Sequence, residues 1–301
     1  MRPSKYADRE LYKTPIAMKI RRKPHWLQKK VTPADHAEMD RLLRRLDLNT
    51  VCRQASCPNI SECFRQKQAT FLIMGRDCTR SCSFCNVSSN RPAPLDPGEP
   101  SRIAEAVMSL DLEHVVITSP TRDDLPDGGS GHFAATVGSI RETSPQAVIE
   151  LLVPDFQGSR ESLGTVLSAR PDILGHNIET VPRLYAVRAG ADYERSLGLL
   201  KAAGEIDPSI PAKSGIMLGL GETREEILST LADIHRTGCR YISIGQYLAP
   251  SRSHHPVAEY IDPSEFERYR EEALSLGFAH VESAPYVRSS YHADRYKTHS
   301  S

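Results

Sequence analysis

The stretch A-T-F-L-I-M-G-R-D-C-T-R-S-C-S-F-C, residues 69–85, passes from six uncharged residues through a short connection into three cysteines spaced C-x-x-x-C-x-x-C. ATFLIM is short, apolar and closed by Gly75, the pattern of a strand buried on both faces of a sheet. Five more runs follow it: HVVIT (114–118), AVIELLV (147–153), DILGHN (172–177), AKSGIMLGL (212–220) and YISIG (241–245). Between them, Pro100–Leu110, Gly131–Thr143, Arg160–Ala169, Tyr193–Ala203 and Thr223–Thr237 carry apolar residues at helical spacing. Thr223 followed three residues later by Glu226 is a capping-box signature. Strand and helix alternating about six times predict an α/β fold with a parallel sheet and right-handed crossovers. The sheet is expected to bend into a partial (β/α)6 TIM-like barrel, because eight units would need more chain.

This reading divides the chain into an N-terminal extension (1–68), the barrel (69–283) and a C-terminal tail (284–301). A last helix is expected at Pro263–Leu276, followed by the polar sequence VESAPYVRSSYHADRYKTHSS. No repeats or low-complexity tracts interrupt the pattern.

At 301 residues the chain can bury a core that needs no covalent staples. The cysteines crowd into residues 52–85, with Cys239 alone elsewhere, unlike a disulfide framework; a reducing compartment, the cytoplasm, is expected. No apolar run approaches a membrane span, and the first residues lack a signal-peptide core. The formal net charge of zero argues against a dedicated nucleic-acid binder. Residues 1–50 nevertheless hold 13 Lys or Arg against 6 Asp or Glu, so this arm is either a solvated extension or a dock for an acidic protein.

Six of the seven cysteines form two triplets, Cys52, Cys57, Cys63 and Cys78, Cys82, Cys85. A four-iron cluster takes four ligands, so a cube held by three thiolates keeps one iron open for a substrate, a cofactor or a weaker protein ligand. Structural zinc prefers four protein ligands in two C-x-x-C pairs or with added His, which neither triplet offers. The second triplet follows the first barrel strand directly, which points its loop to the barrel mouth, where such folds keep their active sites.

With the aromatic Phe84 just before its last cysteine, this motif resembles the radical S-adenosylmethionine (SAM) superfamily. That resemblance implies a 4Fe-4S cluster on Cys78, Cys82 and Cys85 whose open iron chelates the methionine moiety of SAM and whose electron generates a 5′-deoxyadenosyl radical. The first triplet, C-x4-C-x5-C, and R-S-S-Y at 288–291 narrow the match. Together with RKPHWL (22–27), TRDDLPDGG (121–129), VPDF (153–156), HNIETVPR (176–183) and GLGET (219–223), they make the chain similar, nearly end to end, to the lipoyl synthase family.

That family resemblance implies insertion of two sulfur atoms, at C6 and C8, into an octanoyl group on a carrier-protein lysine. Two SAM molecules are used per turnover, and a second, auxiliary 4Fe-4S cluster donates the sulfur. Cys52, Cys57 and Cys63 would hold this cluster, with Ser290 as its fourth ligand and a catalytic residue, because a serine alkoxide can leave on protonation. The implied partners are octanoylated lipoyl carrier domains or H protein, an external electron donor and an iron–sulfur carrier that rebuilds the cluster. A methylthiotransferase of the same superfamily would usually add a recognition domain, and a non-catalytic iron–sulfur or zinc protein would not respond to SAM.

Residues at strand ends supply candidates for SAM contacts: Thr118, Asp127 and Gly128 after HVVIT, and Asn177 and Glu179 after DILGHN for ribose hydroxyls or the ammonium. Arg195 and Lys213 are expected to meet the methionine carboxylate. His254 and His255 read as surface histidines, Cys239 as a small buried residue, and Trp26 as a docking anchor or a packing residue.

Overall fold

Each of the six expected runs contains a strand, and two further strands flank them. The structure, a computed structural model, describes residues 22–29, 36–66 and 68–291. The strands are β1 (Asn49–Thr50), β2 (Thr70–Leu72), β3 (His114–Thr118), β4 (Val148–Leu152), β5 (Ile173–Gly175), β6 (Ala212–Leu218), β7 (Tyr241–Gln246) and β8 (His280–Ser283). They lie in sequence order in one sheet; β1 is antiparallel to β2, and all other neighbours are parallel. Among the described residues β1 and β8 do not pair, so the barrel is partial and open.

The extension contributes α1 (Ala37–Arg45), α2 (Val51–Gln54) and α3 (Ile60–Arg65). The crossovers are α4 (Glu99–Leu110), α5 (Ser130–Thr143), α6 (Arg160–Ser168), α7 (Tyr193–Ile206) and α8 (Arg224–Arg236), and α9 (Pro263–Leu276) joins β7 to β8. The capping box forms as its spacing predicts: Thr223 accepts from the Glu226 amide and Glu226 accepts from the Thr223 amide. The strand β8 departs from the expected polar tail. Only Val281 of H-V-E-S is fully buried, so hydropathy alone hides a strand held by its ladder to β7.

Alternation along each strand separates two environments. Phe71, Ile117, Ile149, Leu151 and Leu174 join the apolar core with the helices, where a fully buried Ile or Leu contributes about 1.5–3 kcal/mol. Their sequence neighbours Thr70 and Glu150, with His114, Lys213 and Ser243 from the same sheet, supply the opposite, polar side of the strands. The interior is therefore not the uniformly apolar filling of a closed barrel.

The segment after β8 folds back against this side. Ala284 donates to the Ile244 carbonyl at 3.2 Å and Gln246 to the Pro285 carbonyl at 3.3 Å. A Cβ on Gly245 would fall onto the Val287 carbonyl oxygen, deep inside van der Waals contact. Because the clash is with backbone, Gly245→Ala should dislodge residues 287–290; limited proteolysis should then cut the tail faster than in the unmodified chain.

Candidate active site

The first triplet is built by the short helices of the extension. Thr50 caps α2, accepting from the Arg53 amide, and Ser56 adopts φ 50, so the chain turns sharply between Cys52 and Cys57. Cys57 N–H donates to the Cys52 carbonyl at 3.0 Å, and Cys63 N–H to the Asn59 carbonyl at 2.9 Å. The three cysteines line one solvent-open cavity, and Ser290, distant in sequence, lines it too, beside Thr70, His114 and Arg288.

Burial pushes the Cys52 thiol up to about 11 and the Cys63 thiol up to about 12, with neighbouring thiols adding to both shifts. Thiols in such a place ionise only if a metal centre supplies the compensating charge. Arg288 adds a cation facing Cys57, although burial lowers its own pKa. Several contacts fasten the tail here. Asn59 Nδ2 donates to the Tyr286 carbonyl at 2.7 Å and Tyr291 donates to Glu62 at 3.0 Å. Lys29 donates to Asn59 at 2.9 Å and pairs with Glu62.

The second triplet occupies the loop after β2. Cys78 N–H donates to the Ser88 carbonyl at 2.7 Å, and Cys85 N–H to the Cys82 carbonyl at 3.1 Å. Backbone amides point at the sulfurs: Thr121 at 3.3 Å and Arg80 at 3.4 Å from Cys78 Sγ, and Val87 at 3.4 Å from Cys85 Sγ. Such donors stabilise thiolate and tune a cluster's potential. Arg80, inside the triplet, forks to Asp123 at 2.7 and 2.9 Å and to Asp155 at 2.7 and 3.0 Å. Burial works against the Asp155 carboxylate, yet Arg80 and Arg195 hold its pKa down to about 2.

The histidines depart from the surface role expected of them. His254 Nε2 donates to the Cys85 carbonyl at 3.1 Å and His255 N–H to the Ser83 carbonyl at 2.8 Å, so both brace the triplet loop. Cys239 is buried, as its sequence context suggests, and Trp26 is half-buried beside His25.

Not all expected SAM contacts gather at the second triplet. Phe84 is half-buried within the triplet itself. Asn177 Nδ2 donates to Glu179 at 3.0 Å; burial pushes the Glu179 carboxyl up, with Arg188 and Asn177 opposing. Glu179 acts electrostatically on Cys82 and Cys85. Gly128 needs its φ of 60, and a Cβ there would meet Phe156 at 2.9 Å.

Four others are committed within the protein. Thr118 donates to the Leu152 carbonyl at 2.7 Å. Asp127 accepts from Gly129 and Gly131 amides at 2.9 and 2.8 Å, fastening the start of α5. Arg195 binds Asp155 at 2.9 Å and the Gly190 carbonyl at 2.6 Å. Lys213, expected beside a carboxylate of SAM, instead meets a carboxylate of the protein: it lies at the second position of β6 and is bonded to Glu150 at 2.8 and 3.0 Å. A long cation opening a strand reads equally well as a ligand or as a lumen ion pair until the partner strand is known.

Sequence reasoning missed Arg188, whose charge acts on Cys82 and whose guanidinium donates to the Asn177 carbonyl at 2.9 Å. It follows the 3-10 turn Pro182–Val187 and belongs to no motif, so only the packing reveals it. The two triplets are also joined. Asn86 Nδ2, beside Cys85, donates to the Gln54 carbonyl at 2.7 Å, and Asn177 Nδ2 donates to Ser289 at 2.6 Å.

All seven cysteines are free of disulfides. Among the described residues no group of three or more His, Cys, Asp or Glu is gathered to hold a metal ion. The donor set of the first cavity, three thiols and a hydroxyl around shared space, fits a multi-iron cube, and the second triplet with its amide donors fits a cube of three protein ligands. Among the described residues no helix is long and apolar enough to cross a membrane.

Comparison with known proteins agrees with this chemistry. The Radical SAM superfamily matches residues 72–234. A lipoyl synthase of Geobacter metallireducens is 65% identical over 279 residues, 93% of this chain and 99% of that protein. One from Trichlorobacter lovleyi is 64% identical over 280 residues, 93% of this chain and all of that protein. Among solved structures, a methylornithine synthase aligns with a TM-score of 0.55 at 14% identity, covering 81% of each chain. Streptococcus suis SuiB bound to S-adenosylmethionine aligns at 0.52 and 13% identity, over 80% of this chain and 57% of that one. These two likenesses speak for the partial barrel, and the sequence relatives for what it carries: the chain belongs to the lipoyl synthase family of the radical SAM superfamily.

Proposed function

We propose that this chain inserts two sulfur atoms, at C6 and C8, into an octanoyl group held in amide linkage on a carrier-protein lysine. The family carries a 4Fe-4S cluster and SAM, and the relatives' shared name supports the substrate class. The observation that carries the finer reading is Ser290 lining one cavity with Cys52, Cys57 and Cys63, the ligand set that a second cluster requires. When bound, one cluster would supply the electron that cleaves SAM and the other the sulfide; because C6 and C8 each give up a hydrogen atom to a separate radical, two SAM molecules would serve each turnover.

The protein's own residues divide the work accordingly. Cys78, Cys82 and Cys85 would hold the first cluster, with Arg80, His254 and His255 keeping their loop in shape. Phe84, Asn177, Glu179 and the tight turn at Gly128 are assigned to the SAM side, and Arg188 takes the carboxylate role first given to Arg195 and Lys213. Thr118, Asp127 and Arg195 shape that side by fixing strand ends and loops rather than by contact. The tail brings Ser290 to the auxiliary cavity, and the Asn177–Ser289 bond ties one end of the site to the other. An external electron donor and an iron–sulfur carrier complete the cycle, because neither electrons nor sulfide are regenerated by these side chains.

Anaerobic incubation of the iron-loaded protein with reductant, SAM and an octanoylated carrier peptide should give a product gaining two sulfurs by mass spectrometry. Formation of 5′-deoxyadenosine without that gain would remove the substrate assignment.

A further inference from the structure

Thr70 opens β2 and is 5% exposed. Its hydroxyl donates to Ser290 Oγ at 2.6 Å, and its backbone amide reaches the Cys52 thiol. One residue of the rigid sheet thus touches two of the four groups assigned to the auxiliary cluster, one from the extension and one from the tail. Neither of those segments belongs to a long element of its own: α2 is four residues, and the tail is irregular after Ser283. Threonine suits the task because β-branching restricts χ1, so a strand position fixes where the hydroxyl points.

We propose that Thr70 is the positioning residue that holds Ser290, and with it Cys52, at the auxiliary cluster. The inference rests on the reading of Ser290 as the fourth ligand. A hydrogen bond donated to a serine oxygen strengthens when that oxygen carries negative charge, so the contact favours the ligated form over a detached tail. Partners of this kind typically change metal affinity or activity 10–100-fold when removed. Thr70 touches no substrate in this assignment and acts only through the ligands.

The test uses full-length, iron-loaded protein with Cys78, Cys82 and Cys85 all replaced by alanine, so that only the auxiliary cluster reports. Iron release to a chelator and the electron paramagnetic resonance spectrum of the reduced cluster are compared for Thr70→Val, Thr70→Ser and Ser290→Ala. Thr70→Val keeps the shape and β-branching but removes the hydroxyl. It should release iron about 10–100-fold faster and shift the spectrum toward that of Ser290→Ala. Thr70→Ser keeps the hydroxyl with a freer χ1 and should recover most of the parent's behaviour. If Ser290→Ala alters both readouts while Thr70→Val alters neither, the inference falls and the ligand assignment stands. A Thr70→Val defect that Thr70→Ser does not restore is a packing effect and also overturns it. If Ser290→Ala itself matches the parent, the ligand reading falls and takes the inference with it.

Discussion

Replacing Cys57 with alanine should reduce sulfur transfer to background while SAM cleavage continues within a few-fold of the unmodified rate. Replacing Cys82 should abolish both. The division follows from where the thiols sit. Cys57 shares its cavity with Cys52, Cys63 and Ser290, built from α2, α3 and the tail, whereas Cys82 belongs to the loop after β2, braced by Arg80, His254 and His255. Losing a ligand from one loop leaves the hydrogen bonds of the other intact. The two activities separate by measuring 5′-deoxyadenosine and sulfurated peptide in the same reaction. Equal loss of cleavage in the two variants would contradict two centres with distinct duties.

Lys213→Met should destabilise the fold by about 3–5 kcal/mol, since Glu150 would keep its charge with its closest cation removed. Burial alone would raise the Glu150 carboxyl, but Lys213 and His114 hold it below its ordinary value. The sign of that shift makes the stabilisation present at neutral pH and lost as pH falls through the lowered folded value. Combining Lys213→Met with Glu150→Leu should recover most of the loss, because a paired apolar replacement leaves no stranded charge. Denaturant unfolding of the parent, the two single variants Lys213→Met and Glu150→Leu, and the double variant checks both statements. A Lys213→Met protein of undiminished stability but raised KM for SAM would restore the contact with the methionine carboxylate first expected of it.

The strands HVVIT and YISIG and the helix Pro263–Leu276 were legible because their periodicity and end signals agree with one another. The same holds for the capping box at Thr223. The edge strand β8 was not, since H-V-E-S offers a ladder but little hydropathy. Charged candidates fared worst for a physical reason. Arg195 and Lys213 carry ligand-like groups, but each found a partner within the protein whose identity depends on strands or turns brought together only by folding, while Asp127 is taken by amides of its own turn. His254 and His255 show the converse, two residues without a readable motif that brace the loop carrying the second triplet, the first through its ring and the second through its backbone amide.

Local spacing by itself determined the two cysteine triplets and the order of strands and helices, because thiol separation and hydrophobic period are properties of neighbouring residues; the motifs carried the resemblance to the family. Only the tertiary structure decided that Ser290 reaches the first triplet's cavity, that Thr70 meets both, and that Lys213 is taken by Glu150. Those contacts join segments far apart in the chain, and they exist because an open sheet, with small Gly245 on its polar side, leaves room for the tail to fold back in.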